Sequence, residues 1–441
     1  MDCRKRKLLI NAAANWVGFA AQMLAAFLLS PILVHGLGAP RYGIWSLVES
    51  ILAYLLLFDL GVAASVVRYV ARFEAVEDRD GLNRVFSTSL CIFAVAGLVA
   101  GLLTAGMAFT GIQLLHIPAE LFDEARGMFL LLGLNLAIGL PLGVFPAVLD
   151  GLERYPAKAL VRTAALVLRS ILFLVIVRAR GGLLELAWAI TACNILEHVA
   201  LAAAAWWYLP QVRFSFSLID RGTFRAIRGY SFDAFVAMVA GRVSFQTDAI
   251  VISAFLAPQF IAFFAVAGRL VEYAKNSLRA LTAVLTPAVS ALEAQGDERS
   301  IQSMLVHSTR YVLWLVMPIQ VGLLILGKPF LARWIDPEFA ERTYPTLAIL
   351  SGPLALALSQ SVSARILYGT GRLRWFSRAL IVEAIVNLLL SVALAQPLGI
   401  EGVALGTALP NVLVNIAVML YVCRSLGVGV TQYLRQAFVR P

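Results

Sequence analysis

From about residue 11 to residue 423 the chain is a nearly unbroken series of apolar runs, most of them long enough to cross a bilayer, joined by short polar connections. About twenty apolar residues in a helix span the hydrocarbon core, and lipid-exposed irregular backbone cannot sit there with its polar groups unsatisfied. Such a sequence has one class of solution, a bundle of transmembrane helices. The runs fall near 11–34, 45–71, 86–110, 127–149, 160–178, 184–209, 231–256, 260–289, 303–327, 344–368, 376–396 and 400–423. Composition agrees: 14% of residues are charged and the mean hydropathy is +0.83, whereas soluble domains carry roughly 25% charge. The longest connections are 210–230, 110–127 and 328–343, which leaves no room for a soluble domain. The expected fold is an all-α integral membrane protein of about 12 transmembrane helices.

The start, MDCRKRKLLINAAANW, imitates a secretory leader, but its apolar run continues to Val34. That is too long for a cleaved signal and reads as the first span. Orientation follows from Lys and Arg in the connections. With the N-terminus inside, 21 fall on the cytoplasmic side, including Arg4, Arg72, Lys158, Arg162 and Arg228. Seven fall outside: Arg41, Arg126, Arg178, Arg180, Lys328, Arg333 and Arg342. This bias places both termini in the cytoplasm.

The two halves match at an offset of 217–218. Leu149-Asp150-Gly151 falls on Leu367-Tyr368-Gly369, Ile117-Pro118 on Ile335-Asp336, and Asp80 on Asp297. Gly182, Ala187 and Asn194 fall on Gly399, Ala404 and Asn411. Six spans per half is an even number, so the halves run in the same direction. The expectation is two six-helix lobes related by a pseudo-twofold axis along the membrane normal. The lobes are 1–212 and 229–424, with a cytoplasmic linker at 213–228 and a cytoplasmic tail at 425–441.

Eight cations remain inside the spans: Arg68, Arg169, Arg242, Arg269, Lys275, Arg279, Arg310 and Arg365. An ionised side chain at the bilayer centre costs at least ~2.5–3.5 kcal/mol, so it faces a cavity or a partner. The eighth span concentrates them in GRLVEYAKNSLR, where Arg269, Glu272, Lys275 and Arg279 share a helix arc of roughly 120°. Arg269 lies about 15 Å from the outer end. The corresponding positions of the second span are apolar, so the stripe is not a general need of the fold. One reading makes it a cavity wall; the other lets Lys275 and Arg279 snorkel while Glu272 neutralises Arg269. Arg242 and Gln246 lie one turn apart on the seventh span, and Asn15 belongs to a small polar stripe on the first. Glu49 and Asp59 on the second span are candidates for coupling to H+ or Na+, with Glu272 a third; Asp59 also has the option of pairing with Arg68. Arg365 and Glu383 are placed to pair across the tenth and eleventh spans, and Glu197-His198 to form part of a relay.

The net charge of +10 is spread over connections rather than gathered in a basic domain, which argues against a nucleic-acid partner. Four cysteines and four histidines show no metal-ligand spacing. No nucleophile–base arrangement or phosphate-cradling loop is present, and there are no large outer loops to build an active site. Transport is the stronger class, and the chain reads as a non-enzyme.

LGAPRYGIWSLVESILAYLLLFDLGVAASVVRYVARF (37–73) resembles the opening signature of polysaccharide-biosynthesis flippases (Wzx-type) of the multidrug/oligosaccharidyl-lipid/polysaccharide exporter superfamily. The shared elements are Leu37-Gly38, Arg41-Tyr42-Gly43, Trp45, Asp59-Leu60-Gly61 and Arg68-Tyr69, and GKPFLARWIDPEF (327–339) is similar to the family's outer connection. The resemblance implies that a lipid-linked oligosaccharide on undecaprenyl diphosphate is turned from the inner to the outer leaflet, with ion coupling and no cofactor. It would serve lipopolysaccharide O-antigen or exopolysaccharide assembly in a bacterial inner membrane. The implied cationic lining falls on Arg242, Arg269, Lys275 and Arg279, then Arg68 and Arg365. Twelve spans depart from the fourteen of the lipid II flippase branch. The expected protein is a monomer in contact with membrane lipids, with a polysaccharide polymerase and chain-length proteins as candidate partners. The alternatives are a drug/cation antiporter of the same superfamily and a scaffold without transport.

Overall fold

The computed structural model describes residues 3–110, 113, 117–282 and 285–439, with the side chains of 3–17, 19, 229–230, 232–246, 279–281, 287, 373–374 and 439 outside the description. Every regular element among the described residues is helical; eight helical stretches are long and apolar enough to cross a membrane, two of them bent at a glycine so that each holds two spans, and Arg221–Phe255 and the helices of 258–294 bring the spans to twelve. Exposed leucines such as Leu98, Leu102, Leu160 and Leu413 form apolar outer faces suited to lipid.

The first two spans run as Cys3–Leu55, bent where Gly38 takes φ 75°. A positive φ is strained for any residue with a Cβ, which is why glycine occupies the corner. The second span breaks again at Leu60 (φ 53°) and Gly61 (φ 75°) before resuming as Val62–Ala75. Asp59 caps the new helix, its Oδ1 accepting from the Ala63 amide at 3.1 Å. Arg79–Phe109 is the third span, and Phe122–Leu142 with Val144–Gly151 the fourth. Tyr155–Arg178 and Leu183–Tyr208 are the fifth and sixth.

The seventh span is Arg221–Phe255, the eighth Pro258–Thr282 with Leu285–Ala294, and the ninth Glu298–Trp334. The tenth comprises Pro337–Ser351 and Leu354–Gly369. Leu373–Ser425 holds the last two, bent at Gly399 (φ 62°). Contacts divide the chain into two compact units, Met1–Arg242 and Val243–Pro441, with the division inside the seventh helix.

Much of the signature near residue 40 is structural. Arg41 grips Glu124 of the fourth span in a forked pair, Nε to Oε2 at 2.9 Å and Nη2 to Oε1 at 2.6 Å. Tyr42 is fully buried, and Trp45 meets Phe173 edge-on with centroids 5.7 Å apart. Phe86, Phe93, Phe145, Val70 and Leu149 continue the core of the first unit.

The internal repeat is visible in backbone geometry. After Gly151, the Arg154 amide bonds the Leu149 carbonyl and Glu153 takes φ 56°. After Gly369, the Arg372 amide bonds the Leu367 carbonyl and Gly371 takes φ 68°. One sequence pairing needs correction. Asp297 is matched by Asp78, not Asp80: each follows a positive-φ residue (Glu77 at 54°, Gly296 at 70°) and caps a long helix by accepting from the amide three residues on. The turn fixes the cap, and its offset is 219 rather than 217.

The 425–441 segment is more than a trailing end. Val430–Tyr433 is helical, and Tyr433 is completely buried. Its hydroxyl donates to Thr309 Oγ1 at 3.1 Å, and Arg310 donates twice to the Gln436 carbonyl, at 2.9 and 2.6 Å.

Candidate functional site

In the second unit the seventh, eleventh and twelfth spans bring together a buried polar cluster. Asp248 is 8% exposed, and Thr407 Oγ1 lies 3.1 and 3.2 Å from its two oxygens. Thr407 has one proton to donate, so it cannot satisfy both. Asn387 Nδ2 donates to the same hydroxyl at 3.2 Å. Next to this group, Glu383 is also buried and accepts from Asn411 Nδ2 at 2.8 Å; Asn415 reaches Asn411 in turn at 3.2 Å. The expected Glu383–Arg365 pair does not form: the neighbour on the twelfth span takes the carboxylate, and Arg365 stays half-buried on the tenth.

Lys275 acts electrostatically on both Asp248 and Glu383. Two buried carboxylates, a hydroxyl and neighbouring amide oxygens supply hard oxygen donors, with the Lys275 cation offsetting part of their charge. Such a set can take up a proton or a monovalent cation, with the acids neutralised on binding.

The stripe on the eighth span is split from the packing face of its helix. Leu270, Val271, Ala274 and Leu278 are buried, whereas Arg269, Glu272 and Lys275 are half-buried. The cations therefore lie along the border of the unit's core rather than inside it. Arg68 is exposed with its guanidinium 5.8 Å from the Tyr69 ring centre, and Glu49 is exposed. The side chains of Asn15, Arg242, Gln246 and Arg279 lie outside the described residues.

The first unit holds a cavity of 610 Å³ bordered by Asp59, Asn135, Asp150, Lys158, Arg162, Asn194 and His198 among apolar side chains. Lys158 pairs with Asp150 at 2.6 Å, and Arg162 with Glu197 at 3.6 Å. Charge counting by connection assigns Lys158 and Arg162 to topology alone. The local signal for the first pair is the Asp150-to-Lys158 spacing across the turn between the fourth and fifth spans. Among the described residues no three acids, histidines or cysteines gather as a metal site.

Comparison with known proteins places this architecture. Residues 8–293 match the polysaccharide biosynthesis protein family. The uncharacterized membrane protein EpsK of Bacillus subtilis is 22% identical, over 98% of this chain and 86% of the relative. The probable low-salt glycan biosynthesis flippase Agl15 of Haloferax volcanii is 25% identical over 46% of this chain and 43% of its own length. In fold, the chain is similar to an inward-facing multidrug resistance MATE family transporter, with TM-score 0.77 at 15% identity, covering 92% of this chain and 94% of that one. It is also similar to the lipid II flippase MurJ, with TM-score 0.74 at 14% identity, covering 97% and 90%. With about two-thirds of its length matched to the family model, and a fold shared along nearly the whole chain with both kinds of transporter, the chain is a multi-pass membrane protein that belongs to the polysaccharide biosynthesis protein family.

Proposed function

We propose that this protein is a flippase that turns an undecaprenyl-diphosphate-linked oligosaccharide from the inner to the outer leaflet of the bacterial cytoplasmic membrane by alternating access. The observation that carries the reading is the half-buried stripe of Arg269, Glu272 and Lys275 on a spanning helix of a polysaccharide-biosynthesis chain. A diphosphate brings about two negative charges and many acceptor oxygens, and arginine offers forked donors that match them at low dielectric. Arg242 and Arg279 complete the set, with Arg68, Arg365, Gln246 and Asn15 as further contacts. Glu272 keeps the stripe from holding its anion too tightly for release.

Energy enters through the second unit. Asp248 and Glu383 are the buried carboxylates, and Lys275 feels both. Uptake of H+ or Na+ there would change the field at Lys275 and so link ion movement to anion binding. No covalent step is required of the protein, and both termini lie in the cytoplasm.

The test is flipping of a fluorescent prenyl-diphosphate sugar in proteoliposomes. Arg269→Ala lowers the rate by at least about tenfold if the stripe holds the diphosphate, the loss of one charge-assisted contact. The second reading, a drug/cation antiporter, is favoured by the same buried acids. Full organic-cation export by Arg269→Ala, with no prenyl-diphosphate flipping by wild type, would establish it instead.

A further inference from the structure

The first unit's cavity has features that the diphosphate reading does not use. Its volume of 610 Å³ is within the range of about 300–1,000 Å³ typical of small-molecule sites. All its walls belong to the second to sixth spans, with apolar surface from Leu52, Phe93, Leu136 and Leu140 among others. Two acids and two cations border it, so its formal charge balances. Both cations are already engaged, Lys158 by Asp150 and Arg162 by Glu197. Each cation already has an acid beside it, so an entering anion meets no unbalanced positive charge there.

The neutral polar groups are differently placed. Asn135 has no hydrogen-bond partner among the described residues. Asn194 accepts from Arg169 through Oδ1 at 3.3 Å, which leaves its amide nitrogen open. His198 Nδ1 is buried with no partner. Gly139 brings these groups together: a Cβ there would stand 3.1 Å from His198 Nε2 and 3.9 Å from Asn135 Oδ1. Asn135 and Asn194 are half-buried, whereas His198 Nδ1 is fully buried, and a buried polar atom left open costs free energy unless something else satisfies it.

Unfilled donors and acceptors, balanced charge and apolar faces together describe a receptor for a neutral, hydroxyl-rich ligand with C–H faces. We propose that this cavity is a saccharide subsite that takes the uncharged sugar end of the lipid-linked substrate, held by Asn135, Asn194 and His198. The carboxylate oxygens of Asp59 and Asp150 border the same space and can accept hydrogen bonds from further hydroxyls, and Phe93 offers a flat apolar surface. The assignment rests on the flippase reading and gives the sugar end of the substrate to the first unit.

The experiment uses the full chain in nanodiscs and two probes, farnesyl diphosphate and the same molecule carrying a glucose disaccharide, with affinities read by calorimetry. In wild type the disaccharide is expected to tighten binding about tenfold, roughly the worth of one or two net hydrogen bonds. Asn135→Ala and Asn194→Ala each bring the glycosylated probe to within about twofold of the bare one, while the bare probe still binds and so reports folded protein. Gly139→Ala, which pushes the His198 ring, also reduces the sugar increment. The subsite is overturned if wild type shows no increment, if both asparagine variants keep it, or if they weaken both probes alike. Failure of wild type to bind either probe overturns the flippase reading itself, and the subsite with it.

Discussion

Gly151 lies so close to Val70 that a Cβ built on it would stand 2.8 Å from the Val70 Cβ, and 3.0 Å from the Val67 carbonyl oxygen. Gly369 repeats the relationship with Val289, at 2.7 Å, and with the Thr286 carbonyl oxygen, at 3.0 Å. In each half, then, a glycine at the C-terminal end of one helix lets another helix approach it closely. Backbone carbonyls cannot swing aside as flexible side chains do. Gly151→Ala is therefore expected to destabilise the first unit by about 1–3 kcal/mol through overpacking, and Gly369→Ala the second. A thermal melt of purified protein in detergent checks this; a melting point unchanged in both variants would show that the helices separate freely.

This paired contact also marks how far the sequence could be read. The Leu149–Gly151 and Leu367–Gly369 match was visible as letters, and the spans followed from hydropathy. Gly38, Tyr42 and Trp45 took structural places because local backbone needs and bulk leave their mark on residue type. Asp248 and Glu383 are marked as acids inside spans, but nothing in the sequence marks the partners they find. Asp248 and Thr407 are 159 residues apart, and only the packing of the seventh span against the twelfth joins them. The repeat obscured the cluster further. The twin residues Asn194 and Asn411 serve opposite charges, one accepting from Arg169 and the other donating to Glu383. Equivalent positions thus carry different chemistry, as expected of halves that share a scaffold but divide a task.

The buried cluster predicts how ion dependence is lost. Asp248→Asn keeps the size and most hydrogen bonding of the side chain but removes its charge, so the protein should fold while losing the stimulation of flipping by an imposed H+ or Na+ gradient. Basal, gradient-free flipping then sets the remaining rate. Thr407→Val removes the hydroxyl that bridges Asp248 and Asn387, and should weaken ion dependence about tenfold or less, the worth of one buried hydrogen bond. Proteoliposome assays with each gradient in turn distinguish the two ions. Undiminished stimulation in Asp248→Asn would remove this cluster from the coupling scheme.

Asp297 gives a pH prediction outside the membrane. Bonds from the Ser300 hydroxyl and amide hold its carboxyl below the ordinary carboxylate range. A depressed folded-state value means stabilisation that is complete above the unfolded value, about 3.9, and is lost as pH falls through the folded one. Asp297→Ala should therefore melt below wild type at pH 7, and the gap should close as the pH drops below about 4. A gap that persists undiminished at acid pH would assign the effect to packing rather than to the charged cap.

The last prediction concerns Tyr433, which a hydropathy reading leaves in a solvent-borne tail. Its ring is fully buried, and its hydroxyl sits between Thr309 Oγ1 at 3.1 Å and Gln360 Nε2 at 3.5 Å. Removing a buried aromatic ring costs about 3–5 kcal/mol, so Tyr433→Ala should lower the melting temperature markedly. Tyr433→Phe keeps the ring and loses the hydroxyl, for which about 1 kcal/mol is expected, with Thr309 left to find another partner. The two substitutions separate packing from hydrogen bonding. If the segment contributes only as a loose tail, both variants melt with wild type, and limited proteolysis cuts after Ser425 as readily in wild type as in the variants. If it is an integral wall of the second unit, wild type resists that cut and Tyr433→Ala exposes it.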